Sequence, residues 1–357
     1  VQIPDDLEEA KLNELLDKVN RLDFERVGQR VRIDMVALVN TSGDGEKFAS
    51  AAAIVKERTN RVPILMSESP ENMEKALKQI SDKRPLVYAA TKDNFEQMAK
   101  LAKDNNCPLA VKGEALEELA DLTQKIKALG VEEMVLHPTR QDMNQLLNDL
   151  TQIRRLALKK TFRPLGYPTM VISWFDNLRE EVAFTSTFIA KYAGIIVVKG
   201  AELWEHLPYV TFRLNIYTDP QKPIQVEPKV YEIGKVDENS PVLVTSNFSL
   251  TYYTVEPEVE SSRIPSYILV VDTEGMSVLT SFAADKFNEE TITAALNKSG
   301  IAEKVKHRKL IIPGYVAVLS GKLEAKSNWK VLVGPREAAQ IPAYLKSVWV
   351  REQKGEG

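Results

Sequence analysis

Short apolar runs alternate with longer amphipathic stretches from about residue 30 to residue 218. The runs have the length of strands and are mostly continuous rather than alternating, as expected of parallel strands that are covered on both faces. Eight such runs are DMVALV (34–39), VPILMSE (62–68), PLVYAAT (85–91), PLAVKG (108–113), EMVLHPT (133–139), TMVISWF (169–175), GIIVVKG (194–200) and VTFRLNIYT (210–218).

The stretches between these runs have the pattern of helices. In EKALKQIS (74–81) and LEELADLTQKIKALG (116–130), apolar residues recur every three or four positions, and the second stretch ends at Gly130, a suitable C-cap. Eight strands with intervening helices predict an α/β fold, a (β/α)8 TIM barrel over residues 30–218. An open doubly wound sheet is the alternative, but eight repeats with nothing left over favour closure.

The segments that flank this region have different patterns. Residues 1–29 contain EEAKLNELLDKVNRL, which predicts one amphipathic helix that caps the barrel or acts as a tether. TDPQKPIQVEPKVYEIG (218–234) has three prolines and little periodicity, and residues 236–256 contain two strand-like pieces around the turn TSN. We therefore expect residues 219–265 to form a linker and a domain joint.

A second, smaller α/β unit is predicted over residues 266–357. Its predicted strands are YILVVDT (267–273), KLIIPGYV (309–316) and WKVLVGP (329–335), and its helices are expected at about 280–299, 316–326 and 336–346. This order is typical of a small Rossmann-like (flavodoxin-like) domain, whose ligand crevice lies at the carboxyl ends of the strands.

Composition and charge exclude several classes of protein. The 357 residues are 44% hydrophobic and 27% charged, as in ordinary globular proteins, and the net charge of −3 gives no electrostatic case for nucleic acid as a partner. No apolar run has the roughly 20 residues that a membrane helix needs. The N-terminus, VQIPDDLEEAK, is acidic and polar, unlike a secretory signal, so the sequence predicts a cytosolic protein.

Cysteine and histidine are scarce. Cys107 is the single cysteine, which excludes an internal disulfide and an iron–sulfur cluster held by this chain alone, and it is expected to be a small core residue. His137, His206 and His307 are far apart in sequence, so no structural zinc site is predicted.

Three loops of the small unit, DTEGMS, PGYVAVLSG and VGPRE, should converge at one rim because the carboxyl ends of parallel strands meet there. Glycines allow close approach of a ligand, and hydroxyl and basic side chains offer polar contacts. These residues are Gly275, Gly314, Gly321, Gly334, Thr280, Ser281, Ser320, Lys322 and Arg336. Glycines are also needed at many strand-to-helix turns that bind nothing. The spacing of Gly314 and Gly321 does not fit a dinucleotide fingerprint.

Several long blocks of this sequence resemble the large subunit of the corrinoid/iron–sulfur protein, which is the gamma subunit of the acetyl-CoA decarbonylase/synthase complex. The blocks are FERVGQ (24–29), DKRPLVYAAT (82–91), LNIYTDPQKPIQVEP (214–228), YEIGKVDENSPVLVTSNFSLTYYTVE (231–256), ILVVDTEGMSVL (268–279), HRKLIIPGYVAVLSG (307–321) and WKVLVGPREA (329–338). The resemblance covers nearly the whole chain.

This resemblance implies a methyl carrier of the anaerobic reductive acetyl-CoA (Wood–Ljungdahl) pathway. In the family, Co(I) of a corrinoid (cobalamin-type) cofactor accepts a methyl group from a methyl-pterin, and methyl-Co(III) passes it to acetyl-CoA synthase. Such a protein is a methyltransferase-class carrier subunit rather than a self-sufficient catalyst. Family members also carry a four-cysteine domain with a [4Fe–4S] cluster, which has no counterpart in this sequence.

The resemblance also implies where the corrinoid binds. Many corrinoid domains place an Asp, a His and a Gly in one turn, but Asp272 and Gly275 enclose no histidine here, so no protein ligand to cobalt is expected. Hydroxyls of Thr280 and Ser281 would face the lower side of the ring, unless both residues only cap a helix. The expected cofactor-binding residues are Asp272, Thr273, Gly275, Ser277, Thr280, Ser281, Gly314, Tyr315, Leu319, Ser320, Gly321, Lys322, Gly334, Pro335, Arg336, Thr245 and Asn247.

The predicted barrel and joint supply further candidates. Polar residues expected in the carboxyl-end loops of the barrel are Asn40, Asp44, Glu114, His137 and Asp176, although they form no known catalytic constellation. Aromatic residues that could contact a partner or pack internally are Trp174, Trp204 and Tyr209, and Tyr252 and Tyr253 could close over the cofactor or pack the joint.

The family implies several partners: a corrinoid protein small subunit in a heterodimer, a methyl-pterin methyltransferase, acetyl-CoA synthase and a reductive activator. Neither nucleic acid nor a membrane is expected. Two alternatives remain at this point: a free-standing barrel methyltransferase with a regulatory C-terminal domain, and a scaffold subunit whose crevice holds nothing.

Overall fold

Eight short strands alternate with eight helices in the first part of the chain. The computed structural model describes residues 1–217 and 223–350. The strands are β1 (Gln2–Pro4), β2 (Met35–Val39), β3 (Val62–Met66), β4 (Leu86–Ala90), β5 (Leu109–Gly113), β6 (Met134–Pro138), β7 (Met170–Ile172) and β8 (Ile195–Val197). The helices are α1 (Glu9–Arg21), α2 (Gly45–Arg58), α3 (Pro70–Ile80), α4 (Phe95–Asp104), α5 (Leu116–Ala128), α6 (Met143–Lys159), α7 (Leu178–Ala190) and α8 (Leu203–Tyr217).

Hydrogen bonds close these strands into a ring. Strands β1 to β6 form one parallel sheet, a bridge between Leu136 and Thr169 continues it to β7, and β7 pairs with β8. The backbone N–H of Gln2 donates to the carbonyl of Val198 at 2.8 Å, which joins β8 to β1. This is the arrangement of a (β/α)8 barrel. The predicted closed barrel is confirmed, and the open sheet was the wrong alternative.

The ring starts and ends at different strands from those predicted. Its first strand is β1, only three residues long, so residues 1–29 are not a tether but supply β1 and α1. The run 210–218, predicted as the eighth strand, belongs to α8 up to Tyr217, and its last residue lies outside the described residues. Aromatic and β-branched residues made this run look like a strand, but the buried residues of α8 follow helical spacing: His206, Tyr209 and Val210.

Burial on both faces explains the continuous apolar runs. In β3, Ile64 and Met66 point into the barrel, while Leu65 packs with the helices outside it. The same alternation puts Ala37 of β2 inside and Val36 outside. Because neither face of these barrel strands contacts water, both faces are apolar and the runs are continuous.

A polar pair lies inside this barrel. The hydroxyl of Tyr88 is 2.9 Å from Nδ1 of His137, and both side chains are buried. Burial, with a smaller contribution from Lys112, lowers the pKa of His137 to about 4. Burial also raises the pKa of Tyr88. At neutral pH the ring is therefore uncharged and forms a hydrogen bond with the protonated phenol.

A buried carboxylate joins the first two strands. Both oxygens of Asp5, directly after β1, accept hydrogen bonds at 2.8 Å: from the backbone N–H and hydroxyl of Ser42 and from Nδ2 of Asn40. Oδ1 of Asn40 in turn accepts from Nδ2 of Asn72 at 2.8 Å and from Ser67 at 3.1 Å. This network links the carboxyl ends of β1, β2 and β3.

The second unit consists of Glu25–Gln29 and the chain after residue 217. Two short strands, Asp23–Arg26 and Gln29–Arg32, pair as a hairpin that includes the segment Glu25–Gln29. The strands of the second unit are β9 (Val230–Ile233), β10 (Val242–Ser246), β11 (Ser266–Val271), β12 (Lys309–Ile312) and β13 (Lys330–Val333). Its α-helices are α9 (Ser249–Ser261), α10 (Val278–Ala283), α11 (Glu289–Ser299), α12 (Ile301–Lys304), α13 (Ser320–Ser327) and α14 (Ile341–Tyr344). The second unit also has 3₁₀-helices at Gly314–Leu319 and Ala338–Gln340 and a π-helix at Leu345–Trp349. In the first unit, 3₁₀-helices lie at Ser81–Lys83 and Arg163–Leu165.

The sheet of this unit has the order β9–β11–β10–β12–β13, with only β9 antiparallel. Helices cover both faces: α9 and α14 pack on one through Val259 and Ile341, and α11 and α13 on the other through Leu296 and Leu323. Connections leave β10 and β12 for opposite faces and in opposite directions along the sheet. A crevice is therefore expected between the carboxyl ends of these two strands.

The second unit starts earlier than the predicted boundary at residue 266. Strands β9 and β10 are members of its sheet, so residues 230–261 are not a linker. The stretch after the TSN turn was predicted as a strand and is the helix α9, because its buried positions Tyr252 and Val259 and half-buried Val255 follow helical spacing. The predicted helix 280–299 is broken into α10 and α11.

We expect Asp5→Ala to lower the free energy of unfolding of the barrel unit by about 2–4 kcal/mol, because the variant leaves donors of Asn40 and Ser42 without acceptors. Asp6 is exposed, so Asp6→Ala is the matched control, with an expected change of about 0.5 kcal/mol or less. Denaturant titration measures both. Equal effects of the two variants would contradict a structural role for Asp5.

We also expect the stability of the barrel unit to fall as the pH drops from about 6.5 to about 4, because the unfolded chain protonates His137 before the folded one does. The loss from this residue between pH 7 and pH 5 is about 2 kcal/mol. His137→Gln should remove that part, whereas His206, whose pKa is also lowered to about 4, remains in both proteins. Unfolding titrations at the two pH values measure the difference, and an unchanged pH dependence in the variant would count against this account.

Candidate functional site

A cavity of about 390 Å³ lies at the carboxyl ends of β10, β12 and β13, at the point where the strand order reverses. Its lining also includes the start of α9 and the start of α10. Six of the predicted site residues line it: Thr245, Ser277, Tyr315, Gly334, Pro335 and Arg336. The predicted convergence of the loops at one rim is thus seen in the structure, although only part of the predicted residue set takes part.

One residue of the cavity lining has a buried hydroxyl without a partner. Thr245 is almost fully buried, lines the cavity, and its Oγ1 makes no hydrogen bond among the described residues. The hydroxyls of Ser246 and Ser249 are equally buried and unpaired, but neither lines the cavity. A buried polar group without a partner is costly, so Thr245 offers an unused hydrogen-bonding position to a ligand.

The mouth of the cavity is apolar and open to solvent. Leu250 is 54% exposed, Leu279 is 48% exposed and Tyr315 is 45% exposed, and all three line the cavity. The guanidinium-bearing side chain of Arg336 is exposed in the same lining, and the Tyr315 hydroxyl donates to Oε1 of Glu337 at 2.6 Å. Exposed apolar residues around a concave site are typical of ligand-binding surfaces.

Two glycines bring the loops of this wall together. A Cβ on Gly314 would lie 2.6 Å from the carbonyl oxygen of Gly334, and a Cβ on Gly334 would lie 2.9 Å from that of Ile312. The N–H of Gly314 donates to Pro335, and that of Gly334 donates to Ile312, both at 2.9 Å. These glycines therefore shape the wall by allowing backbone to pack on backbone.

The entrance to α10 differs from the prediction. Its N-cap is Ser277, whose side chain accepts from the N–H of Thr280. Ser281 is fully buried, and its hydroxyl donates to the carbonyl of Ser277 at 2.7 Å. The expectation that Ser281 presents its hydroxyl to a ligand was wrong, because the helix backbone uses it. Thr280 is exposed, and its hydroxyl is 3.0 Å from that of Ser277.

The remaining predicted residues do not line the cavity. Leu319 is a core residue, and Ser320, Gly321 and Lys322 begin α13, beyond the turn that borders the cavity. The others outside the lining are Asp272, Thr273, Gly275, Gly314 and Asn247. Asn247 and Thr273 are fully buried, whereas Asp272 is exposed.

The sequence-based prediction missed the contribution of α9. Phe248, Leu250, Thr251, Thr254 and Val255 line the cavity, and they were missed because this stretch was predicted as a strand. Helical spacing of its buried residues was the available signal. Tyr252 and Tyr253 do not line the cavity; their hydroxyls donate to Glu256 at 2.9 Å and to Glu25 at 3.1 Å.

The polar candidates of the barrel do not form a common site. Asn40 belongs to the Asp5 network and His137 pairs with Tyr88. Asp44 caps α2, and the N–H groups of Glu46 and Lys47 hold its pKa below the usual value. Asp176 pairs with Lys199 at 2.5 Å, and Glu114 is exposed. Each of these side chains except Glu114 already has a local partner.

The other candidates have structural surroundings. Trp174 packs on Phe184, Trp204 is 61% exposed and Tyr209 is buried. A ring nitrogen of His206 is 2.7 Å from the carbonyl of Gly200, and one of His307 is 2.9 Å from that of Ser240.

Cys107 is a buried residue of the barrel core, as predicted. Burial raises the pKa of its thiol to about 11, so the thiol is protonated at neutral pH and is a poor nucleophile.

A second cavity, of about 410 Å³, lies in the barrel unit beside the amino-terminal ends of β2 and β8 and against α8. Barrel enzymes place their chemistry at the opposite, carboxyl-terminal end of the strands. In residues 1–217 and 223–350, no group of three or more His, Cys, Asp or Glu side chains could hold a metal ion. Within the same residues, no helix combines the length and apolar character needed to span a membrane.

Known proteins resemble this chain along most of its length. The corrinoid/iron–sulfur protein large subunit of Moorella thermoacetica is 47% identical over 347 residues, which are 97% of this chain and 78% of that protein. The acetyl-CoA decarbonylase/synthase complex subunit gamma of Methanothermobacter thermautotrophicus is 39% identical over 358 residues, with the same two coverages of 97% and 78%.

Among solved structures, a 7,8-dihydropteroate synthase from Vibrio fischeri is similar to 61% of this chain and 92% of its own, with a TM-score of 0.46 and 13% identity. A family model described as the CO dehydrogenase/acetyl-CoA synthase delta subunit matches residues 1–345. The chain therefore belongs to this family, together with the corrinoid/iron–sulfur protein large subunits and the gamma subunits of the acetyl-CoA decarbonylase/synthase complex.

Proposed function

We propose that the second unit is a Rossmann-like corrinoid-binding domain and that the chain is a methyl carrier of the reductive acetyl-CoA pathway. The observation that carries this proposal is the cavity at the strand-order reversal, whose lining includes Thr245 with its buried, unpaired hydroxyl and exposed apolar residues at the mouth. When bound, a corrinoid supplies a cobalt that takes up a methyl group from a methyl-pterin and gives it up to acetyl-CoA synthase.

The residues present fit such a ligand. Leu250, Leu279 and Tyr315 offer the apolar surface that a macrocycle covers, and their burial would stabilise the complex. Thr245 can donate to an amide group of the ligand, and Arg336 can meet an amide oxygen or a phosphate at the rim. The cavity thus combines an apolar wall with a small number of polar positions, as cofactor sites do.

The position of the histidines supports a site without a protein ligand to cobalt. His307, the single histidine of the second unit, precedes β12 and so lies at the amino-terminal end of a strand whose carboxyl end lines the cavity. Ser277 is the N-cap of α10, and Thr280 lies in the first turn of this helix. We propose that Ser277, which lines the cavity, faces the cofactor in place of an imidazole.

The partners follow from the relatives, whose names describe subunits of larger assemblies. We propose that this chain forms a heterodimer with a corrinoid protein small subunit and exchanges the methyl group with a methyl-pterin methyltransferase and acetyl-CoA synthase. A reductive activator would restore cobalt that has become oxidised. The single cysteine of this sequence cannot hold a [4Fe–4S] cluster by itself.

We expect Thr245→Val to weaken corrinoid binding about fivefold, because the variant keeps the shape of the side chain and removes one hydrogen bond worth about 1 kcal/mol. Ser246→Ala is the matched control: it removes a neighbouring buried hydroxyl that does not line the cavity, and it should leave the affinity unchanged. Titration of the protein with a corrinoid, followed by visible absorption, measures both. Failure of the wild-type protein to take up any corrinoid would overturn the proposed function.

Leu279→Glu is expected to weaken corrinoid binding at least tenfold, since it replaces an apolar contact worth roughly 1.5–3 kcal/mol by a charge. The control is Val318→Glu, a change at a residue that is 74% exposed and lies outside the cavity lining. Cobalt content per chain after removal of free corrinoid gives the second readout. If Val318→Glu alone impaired binding, the ligand would lie elsewhere on this surface.

A further inference from the structure

We infer that Asn247 is a positioning residue for the cavity: its buried amide fixes the turn Asp272–Met276 and thereby the residues that follow it in the cavity wall. This inference rests on the proposed function. Asn247 itself is fully buried and does not line the cavity, so its effect on a ligand would pass through the segment that it holds.

The amide oxygen of Asn247 receives three hydrogen bonds from this turn. Oδ1 accepts from the N–H of Thr273 at 2.9 Å, from the hydroxyl of Thr273 at 2.8 Å and from the N–H of Gly275 at 3.0 Å. Buried backbone groups of a turn that has left the sheet need partners from other backbone groups, side chains or water. Here one buried side chain accepts from two of these N–H groups.

The amide nitrogen uses both of its hydrogens. Nδ2 donates to Oε1 of Gln225 and to Oδ1 of Asp272, both at 3.1 Å. Oδ1 of Asp272 also accepts the N–H of Glu274 at 3.0 Å. An asparagine has one acceptor oxygen and two N–H donors, so both ends of this amide are used; glutamine has the same groups, but on a side chain that is one methylene longer.

The held segments converge on the cavity. Asn247 lies two residues after Thr245 and directly before Phe248, and both of these neighbours line the cavity. The turn that Asn247 holds continues into Ser277, Val278 and Leu279, which also line it. Gly275 has a φ of +75°, and a Cβ there would lie 2.7 Å from the Gln225 side chain. Movement of the amide would therefore shift two walls of the cavity together.

The test is an exchange of amide and carboxylate. Asn247→Asp removes both N–H donors and puts a second carboxylate beside Asp272, so we expect corrinoid binding about tenfold weaker than in the wild type. Asp272→Asn alone should change the affinity no more than about twofold. In the double variant Asn247→Asp with Asp272→Asn, the amide at position 272 can donate to the carboxylate at position 247. The corrinoid affinity should therefore return to within about twofold of wild type.

Asn288→Asp is the matched control, because Asn288 makes the same kind of pair in the same unit. Its Nδ2 donates to Oδ1 of Asp285 at 3.0 Å, and neither residue lines the cavity. This variant should leave the affinity unchanged even if it lowers the unfolding midpoint. The visible circular dichroism spectrum of the bound corrinoid at saturation should change in Asn247→Asp and not in the control, because this spectrum depends on the orientation and surroundings of the corrin ring.

Several outcomes would overturn the inference. It is wrong if Asn247→Asp binds corrinoid like the wild type, or if the double variant stays as weak as the single one. Should Asn247→Asp not fold, Thr273→Val removes one of the same three donors and is expected to weaken binding about threefold; an unchanged affinity there would also overturn it. No binding by the wild-type protein would instead refute the proposed function.

Discussion

The reversal of strand order between β10 and β12 is the constraint on which the site depends. Because the connections from these two strands leave for opposite faces of the sheet, no helix covers the gap between their carboxyl ends. The gap becomes a cavity lined by the ends of apolar strands and by the starts of helices. The chemistry of the cavity follows from which side chains these strand ends present, and Thr245 is the one that presents an unpaired hydroxyl.

Polar groups behind the cavity have a different task from those within it. The buried amide of Asn247 is saturated by its own chain, as is the hydroxyl of Ser281, so both give their hydrogen bonds to the geometry of the wall. Thr245, in the cavity lining, retains an unused hydrogen-bonding group. In the barrel unit, Asp5, Asn40 and His137 are likewise polar, buried or partly buried, and already paired.

Much of the architecture could be predicted from hydrophobic patterning, since both faces of a barrel strand are buried and the apolar runs are continuous. Strand β1 was not found in this way, because Ile3 is the one buried residue of this three-residue strand, which therefore forms no continuous apolar run. Helices α8 and α9 were predicted as strands because aromatic and β-branched residues dominate their composition, although their buried residues follow helical spacing. In the site, the loops after β11, β12 and β13 were correctly predicted to meet at one rim. The supporting role of Asn247 was not predictable, since its partners in the turn lie 26 and 28 residues away.

The central claim is that a corrinoid binds at the strand-order reversal of the second unit. Hydrogen–deuterium exchange of the protein with and without bound corrinoid tests it most directly, because it locates the ligand along the chain. The account expects slower exchange in the segments around 245–255, 277–279, 313–315 and 334–336, and unchanged exchange in the barrel loops. Protection confined to the barrel, or no difference at saturating corrinoid, would contradict it.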